Sequence, residues 1–166
     1  MFKIYNRISN VDFRIYKELY SEQIEAQRLR EYAHLSYAEG ILRSEEDFWY
    51  DTEIFFKTTG AFICVWFCDG RYASALRAEQ YNDGYLLTNL ETDITYRNRG
   101  YATLLIQGLK KHLLSIGCKR LYAHISKCNQ ISIIVHEKLG FQRIFDSATL
   151  VDGTTTNDYY TYSVIL

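Results

Sequence analysis

The stretch that most constrains this chain is Leu90 to Leu105, LETDITYRNRGYATLL. A β-rich run ends near Ile94, a short loop carries Arg97, Arg99 and Gly100, and an amphipathic helix begins at Tyr101. A strand that delivers its backbone into a helix N-terminus makes an anion site, because the first amides of a helix have no internal acceptors and the dipole favours negative charge. Here those amides belong to Tyr101, Ala102 and Thr103. Glycine at position 100 lets a ligand approach the backbone closely. Arg97 and Arg99 add charge-assisted bonds of the kind phosphates accept. The physical reading is a phosphate cradle. Neither common nucleotide fingerprint, G-x-G-x-x-G or G-x-x-x-x-G-K-[ST], occurs in the chain.

Hydrophobic periodicity organises the remainder around this junction. Phe2 to Tyr5 reads as a short strand, and Asn10 or Asp12 caps a helical region whose partly buried face holds Ile15, Leu19, Ile24 and Leu29. Gly40 breaks the ambiguous segment Tyr32 to Ser44, and Ser44 followed by Glu45, Glu46 and Asp47 predicts an N-cap that opens a helix to about Phe56. Ala61 to Cys68, Tyr72 to Tyr81 and Tyr85 to Ile94, with turns at Asp69-Gly70 and Asp83-Gly84, predict an antiparallel meander feeding the cradle. In the helix that follows, Tyr101, Leu105, Leu109 and Leu113 recur every fourth residue, joined by Ala102, Ile106 and Ile116, and Gly117 ends it. Arg120 to Ser126 is the next strand, expected to lie parallel to its neighbour after a helical crossover. Asn129 caps a short helix with apolar Ile131, Ile134, Val135 and Leu139, stopped by Gly140. Phe141 to Val151, the Asp152-Gly153 turn and Tyr159 to Leu166 predict a closing hairpin. This order predicts one α/β domain over residues 1–166, with a mixed, mostly antiparallel sheet flanked by helices.

Composition narrows the function. Hydrophobic residues make up 48% and charged residues 23%, the balance of a soluble globular domain. A net charge of −1 leaves no electrostatic footprint for nucleic acid. No apolar run approaches the roughly 20 residues needed to span a bilayer, and no signal peptide opens the chain, so a cytoplasmic protein without membrane contact is expected. Cys64, Cys68, Cys118 and Cys128 lack C-x-x-C spacing and read as free thiols. Cys118, His124, Cys128 and His136 match no common zinc pattern, and no metal is expected. Tyr159, Tyr160 and Tyr162 either pack inside or form an edge through which a homodimer pairs.

Arg97-Asn98-Arg99-Gly100-Tyr101-Ala102 resembles the R/Q-x-x-G-x-G/A pyrophosphate loop of the GNAT family of N-acetyltransferases. Downstream, Asn129-Gln130-Ile131-Ser132 and Val135-His136-Glu137-Lys138-Leu139-Gly140-Phe141 are similar to that family's second signature, N-x-x-[AS] followed by Y-E-K-L-G-F. The two motifs stand in the family's order, and the resemblance covers roughly Ala61 to Leu166. It implies a sheet whose fourth and fifth strands, here Tyr85 to Ile94 and Arg120 to Ser126, splay apart to admit acetyl-coenzyme A, with the acceptor pocket built by the early helices. It also implies coenzyme contacts at Thr92, Ile94, Arg97, Arg99, Gly100, Tyr101, Ala102, Thr103, Asn129 and Ser132. The expected activity is transfer of an acetyl group from acetyl-coenzyme A to a primary amine of a small molecule, by direct attack in a ternary complex. The alternatives are a peptide or protein acceptor, or a coenzyme-binding module without turnover.

That chemistry assigns candidate roles. An amine of lysine-like pKa is only about one part in 2,500 neutral at pH 7, so a base or a desolvating pocket is required. Glu91 is the candidate base, against a purely structural pairing with Arg77 on the adjacent strand. Arg77 is also a candidate for binding an acidic group of the acceptor. Backbone amides at Thr92 or Ile94 would stabilise the developing oxyanion. His136 occupies the position where the family places a tyrosine acid, the main departure from its pattern. Asn129 both caps its helix and is expected to contact the coenzyme, with Ser132 beside it.

Overall fold

A computed structural model describes residues 1–166. Strand β1 (Phe2–Tyr5) leads into α1 (Phe13–Leu19), α2 (Ser21–Glu31) and α3 (Tyr37–Lys57), then the meander β2 (Phe62–Cys68), β3 (Arg71–Tyr81) and β4 (Gly84–Thr92). After α4 (Tyr101–Ser115) come β5 (Arg120–Ser126), α5 (Gln130–Lys138), β6 (Gln142–Phe145), β7 (Ala148–Thr149), β8 (Thr155–Thr156) and β9 (Tyr159–Ile165). Seven strands make one sheet in the order β1-β2-β3-β4-β5-β9-β6, and β7 pairs with β8 apart from it. Every pairing in the large sheet is antiparallel except β4 with β5, where α4 makes the crossover a parallel pair requires. No helix is long and apolar enough to cross a membrane.

The sheet separates two cores. On one face Leu105, Ile106, Leu109 and Leu113 of α4 pack on Phe62, Cys64, Leu76, Ala78, Leu87, Leu121, Ala123 and Ile125. Each fully buried leucine there contributes about 1.5–3 kcal/mol. On the other face Tyr16, Leu19, Tyr20 and Ile24 of α1 and α2, with Phe48 and Phe55 of α3, pack on Ile63, Val65, Tyr72 and Ala75. Ile116 lies outside the α4 stripe and is exposed.

Several expectations are corrected. Helix α3 does not begin at Ser44. It starts at Tyr37 under a capping box in which the Ser36 side chain accepts from the Glu39 amide and the Glu39 carboxylate returns to the Ser36 amide. Gly40 lies inside this helix, because a Cβ there would meet Arg28 Cγ at 2.9 Å, and the bare backbone lets α2 and α3 close on each other. Ser44 Oγ donates to the Gly40 and Ile41 carbonyls within the helix. Leu29 is 57% exposed, so the α2 stripe ends at Ile24 and Arg28. On α5 the exposed residues include Ile131 and Ile134, and the buried one is His136.

The closing hairpin is also different. Strand β9 inserts between β5 and β6, registering Ala123 with Tyr162 on one side and Arg143 with Tyr162 on the other. Asp152-Gly153 turns only the small β7–β8 pair. Because β9 is interior, its tyrosines form no sheet edge: Tyr162 is buried and hydrogen-bonded to Glu137. The edges are β1 and β6.

Candidate functional site

Strands β4 and β5 pair at only three positions, Tyr85 with Leu121, Leu86 with Tyr122 and Leu87 with Ala123. Beyond them β4 runs on to Thr92 and β5 to Ser126 without pairing to each other, so the sheet opens as a wedge. The closed end is tight, since a Cβ on Gly84 would lie 2.1 Å from the Arg120 carbonyl oxygen. A bulge sets the open end. Arg77 registers with Thr88 but Ala75 with Glu91, leaving Asn89 and Leu90 opposite one residue. Asn89 takes φ +49, a left-handed conformation that asparagine tolerates, and its carbonyl accepts from the Tyr20 hydroxyl at 2.6 Å.

The register rules out a structural Glu91–Arg77 pair across the strands. Glu91 stands opposite Ala75, not Arg77, so the two side chains do not form an ion pair. Instead Glu91 Oε2 accepts from Gln23 Nε2 at 2.7 Å, and Oε1 accepts from the Thr92 amide at 3.0 Å and from Arg97 Nη2 at 3.3 Å. The Thr92 amide is therefore engaged by its neighbour's carboxylate, whereas the Ile94 amide, first in its turn, has no protein acceptor.

The cradle follows directly. Asp93 caps the turn over Ile94–Tyr96 by accepting from the Thr95 amide. Gly100 is the N-cap of α4 at φ +79, and a Cβ there would meet no atom within 4 Å, so the space before the helix is open. The amides of Tyr101, Ala102 and Thr103 have no acceptor in the protein, which makes them free donors at the positive end of the dipole. The two arginines differ. Arg97 is committed to Glu22, Glu91 and the Thr92 carbonyl, while Arg99 is exposed over the Tyr96 ring with no carboxylate in ion-pair range. Arg99 is thus the uncommitted cation beside the free amides, and Arg97 braces the loop against α2. Tyr101 is half-buried between Trp66, Tyr96 and Cys68.

Across the wedge, Asn129 Oδ1 caps α5 by accepting from the Ser132 amide at 3.0 Å. His136 is 1% exposed and stacks edge-on against Phe141. Its Nδ1 lies 2.8 Å from the Ser132 carbonyl oxygen, which can only accept, so the proton sits on Nδ1. Nε2 is buried and unpartnered, a lone-pair acceptor in the neutral ring. Burial pushes the His136 pKa below its usual value near 6.5, the Ser132 bond opposing this only in part. Donating a proton from Nε2 requires the imidazolium, which this environment disfavours. No three His, Cys, Asp or Glu side chains converge as a metal site.

Two site features were missed in the sequence. His124 is the first β5 residue past the last β4 pair, and its ring stacks edge-on against Tyr81, with Nε2 buried and unpartnered. Leu121, Ala123 and Ile125 face α4, so the alternation along β5 already assigned His124 to the opposite face. The second is a cavity of about 330 Å³ lined by Gln23, Ile24, Gln27, Phe48, Asp51, Arg77 and Asn89 among others. It is on the α2–α3 face of the sheet, beside the bulge, and Phe48 of α3 is the one aromatic residue in its lining.

Burial lowers the pKa of both His124 and His136, so the unfolded chain binds more protons than the folded one as pH falls through 6.5. Stability is accordingly expected to be lost as pH drops from about 7 through the folded-state values of these rings. Urea midpoints at pH 7.5 and 5.5 test this. The acid-induced drop should shrink in His136→Gln, and an unchanged drop would show that this ring does not contribute to it.

The Acetyltransferase (GNAT) family model matches residues 17–141. The fold resembles PaiA N-acetyltransferase from Thermoplasma acidophilum, solved in complex with coenzyme A, at TM-score 0.63 and 12% identity over 100% of this chain and 99% of that one. It also resembles an acetyltransferase from Streptococcus agalactiae, at TM-score 0.66 and 15% identity over 99% and 98%, and the ribosomal-protein-S18-alanine N-acetyltransferase of Escherichia coli, at 0.61 and 17% over 99% and 94%. At such identities these likenesses establish the fold alone. No curated protein matches the sequence. With the wedge and the cradle in their places and the family model spanning most of its length, the chain belongs to the GNAT family of acetyltransferases.

Proposed function

We propose that the protein transfers the acetyl group of acetyl-coenzyme A to a primary amine of a small molecule, by direct attack in a ternary complex. The observation that carries this is the wedge, which opens between the cradle at the start of α4 and the cavity on the α2–α3 face. A thioester entering from the cradle and an amine entering from the cavity would meet there without a covalent enzyme intermediate. Gly100, the amides of Tyr101, Ala102 and Thr103, and Arg99 hold the pyrophosphate. Asn129, whose Oδ1 is used by its cap, offers its amide group to the pantetheine arm, with Ser132 beside it.

The chemistry divides among few groups. Glu91, on the acceptor face, binds the ammonium and takes its proton. The Ile94 amide donates to the oxygen on which charge develops. The thiolate is a tolerable leaving group, and His136 protonates it only in the small fraction that carries both protons. A cavity of about 330 Å³ matches a small acceptor in size.

The test is incubation with acetyl-coenzyme A and a panel of amino acids, polyamines, aminoglycosides, aryl-alkyl amines and short peptides, read by mass spectrometry. Mass detection avoids thiol dyes, with which the four free cysteines would react. An acetylated small amine is the expected result. Products only from peptides would overturn the small-molecule acceptor, and coenzyme binding with no product at all would favour a module without turnover.

A further inference from the structure

The most unusual charge in the molecule is Arg77. It is 6% exposed, on the central strand β3, and lines the 330 Å³ cavity beside Asn89. Its Nη2 donates to Thr52 Oγ1 at 2.8 Å and its Nε to the Tyr16 hydroxyl at 3.4 Å. The guanidinium also lies 5.0 Å from the Phe55 ring centroid and 5.9 Å from that of Phe48. A guanidinium has more N–H groups than these two oxygens satisfy. No carboxylate lies within ion-pair distance of it.

A buried cation without a counter-ion is costly, and proteins normally pair such a group. The acids nearby do not fill the role. Glu91 is turned to Arg97 and Gln23, and Asp51 lines the same cavity without reaching the guanidinium. Glu79, two residues along the same face of β3, feels the Arg77 charge, yet burial dominates and raises its pKa. The fork is held rigid by Thr52, Tyr16 and two aromatic rings while its remaining donors are unused, the condition for bidentate capture of a carboxylate.

We infer that the acceptor is an amino carboxylate, its carboxylate bound by Arg77 in the cavity between α2, α3 and the β4 bulge and its amine directed to Glu91 at the wedge. This rests on the acetyl-transfer reading above. Arg77 and Ala75, the register partner of Glu91, are two residues apart on one face of β3, about 7 Å. Asp51 at the cavity wall adds a negative charge that opposes a dianion.

Matched pairs of amines that differ only in the carboxylate test the inference: lysine against cadaverine, and phenylalanine against phenylalaninamide. Acetylation is followed by mass spectrometry, and binding by thermal shift of the coenzyme A-loaded protein. The wild type is expected to prefer the carboxylate-bearing member at least tenfold in kcat/KM. Arg77→Met should remove that preference through KM, with coenzyme binding unchanged. Arg77→Lys, which keeps the charge and the fold but loses the fork, should retain only part of the preference. Carboxylate-dependent stabilisation that disappears in Arg77→Met and weakens in Arg77→Lys, without any turnover, would sustain this inference while refuting acetyl transfer. Turnover of both members of each pair without preference would overturn the inference and leave acetyl transfer standing. A loss in Arg77→Lys that is equal for both members would show that Arg77 only supports the fold.

Discussion

Gly100→Glu is expected to weaken coenzyme A binding at least 100-fold, about 2.7 kcal/mol, while the protein remains folded. Three effects act together. The residue sits at φ +79, where a side chain strains the backbone by about 1–2 kcal/mol. Nothing in the protein lies within 4 Å of the new Cβ, so the added atoms would project into the open space before α4 that is proposed for the pyrophosphate. The new carboxylate would compete with that anion for the unpartnered amides of Tyr101, Ala102 and Thr103 and for Arg99. A negative charge at a helix N-terminus is otherwise favourable, so the melting temperature should fall by only a few degrees. Titration calorimetry with coenzyme A decides. Gly100→Ala separates the terms, because it carries the strain without the charge and should cost roughly tenfold or less. Wild-type affinity in Gly100→Glu would move the phosphate site away from this helix.

How much of this was legible in the chain depends on the range over which each feature is determined. Helix α4 is specified locally: Leu105, Leu109 and Leu113 repeat every fourth residue, and all three are fully buried. The cradle is local too, since a strand, a glycine and a helix start are contiguous in sequence. The start of α3 was misread because Gly40 looks like a breaker, and only its contact with Arg28 explains a glycine inside a helix. The capping box at Ser36 and Glu39 was a legible signal. By contrast, β9 entering between β5 and β6 is a long-range pairing that leaves no local mark. The bulge at Asn89 is equally silent. It shifts register by one residue and sets Glu91 opposite Ala75, so Glu91 and Arg77 sit in two separate environments. One of these left Arg77 unpaired, which no reading of strand alternation could have revealed.

Glu91→Gln is the substitution expected to have the largest effect on turnover, lowering kcat about 100-fold at saturating substrates with coenzyme affinity unchanged. The isosteric amide keeps the volume and can still accept from the Thr92 amide or Gln23, so the strand end should hold its place. It removes the charge that would bind an ammonium and the oxygen that would take its proton. These two roles separate kinetically. Loss of a proton acceptor appears in kcat and is partly recovered at higher pH, where more of the amine is neutral before it binds. Loss of an ammonium anchor appears in KM for the amine. Arg97→Gln is the necessary companion. Arg97 ties Glu91 to Glu22 of α2, and a carboxylate whose only task is to brace that arginine would make both variants fail alike, through the cradle and not through chemistry. The expected pattern is instead divergent: Arg97→Gln weakens coenzyme binding severalfold with kcat largely retained, and Glu91→Gln does the reverse. Equal losses of coenzyme affinity in the two variants would remove Glu91 from the reaction and leave it as a strut of the phosphate loop.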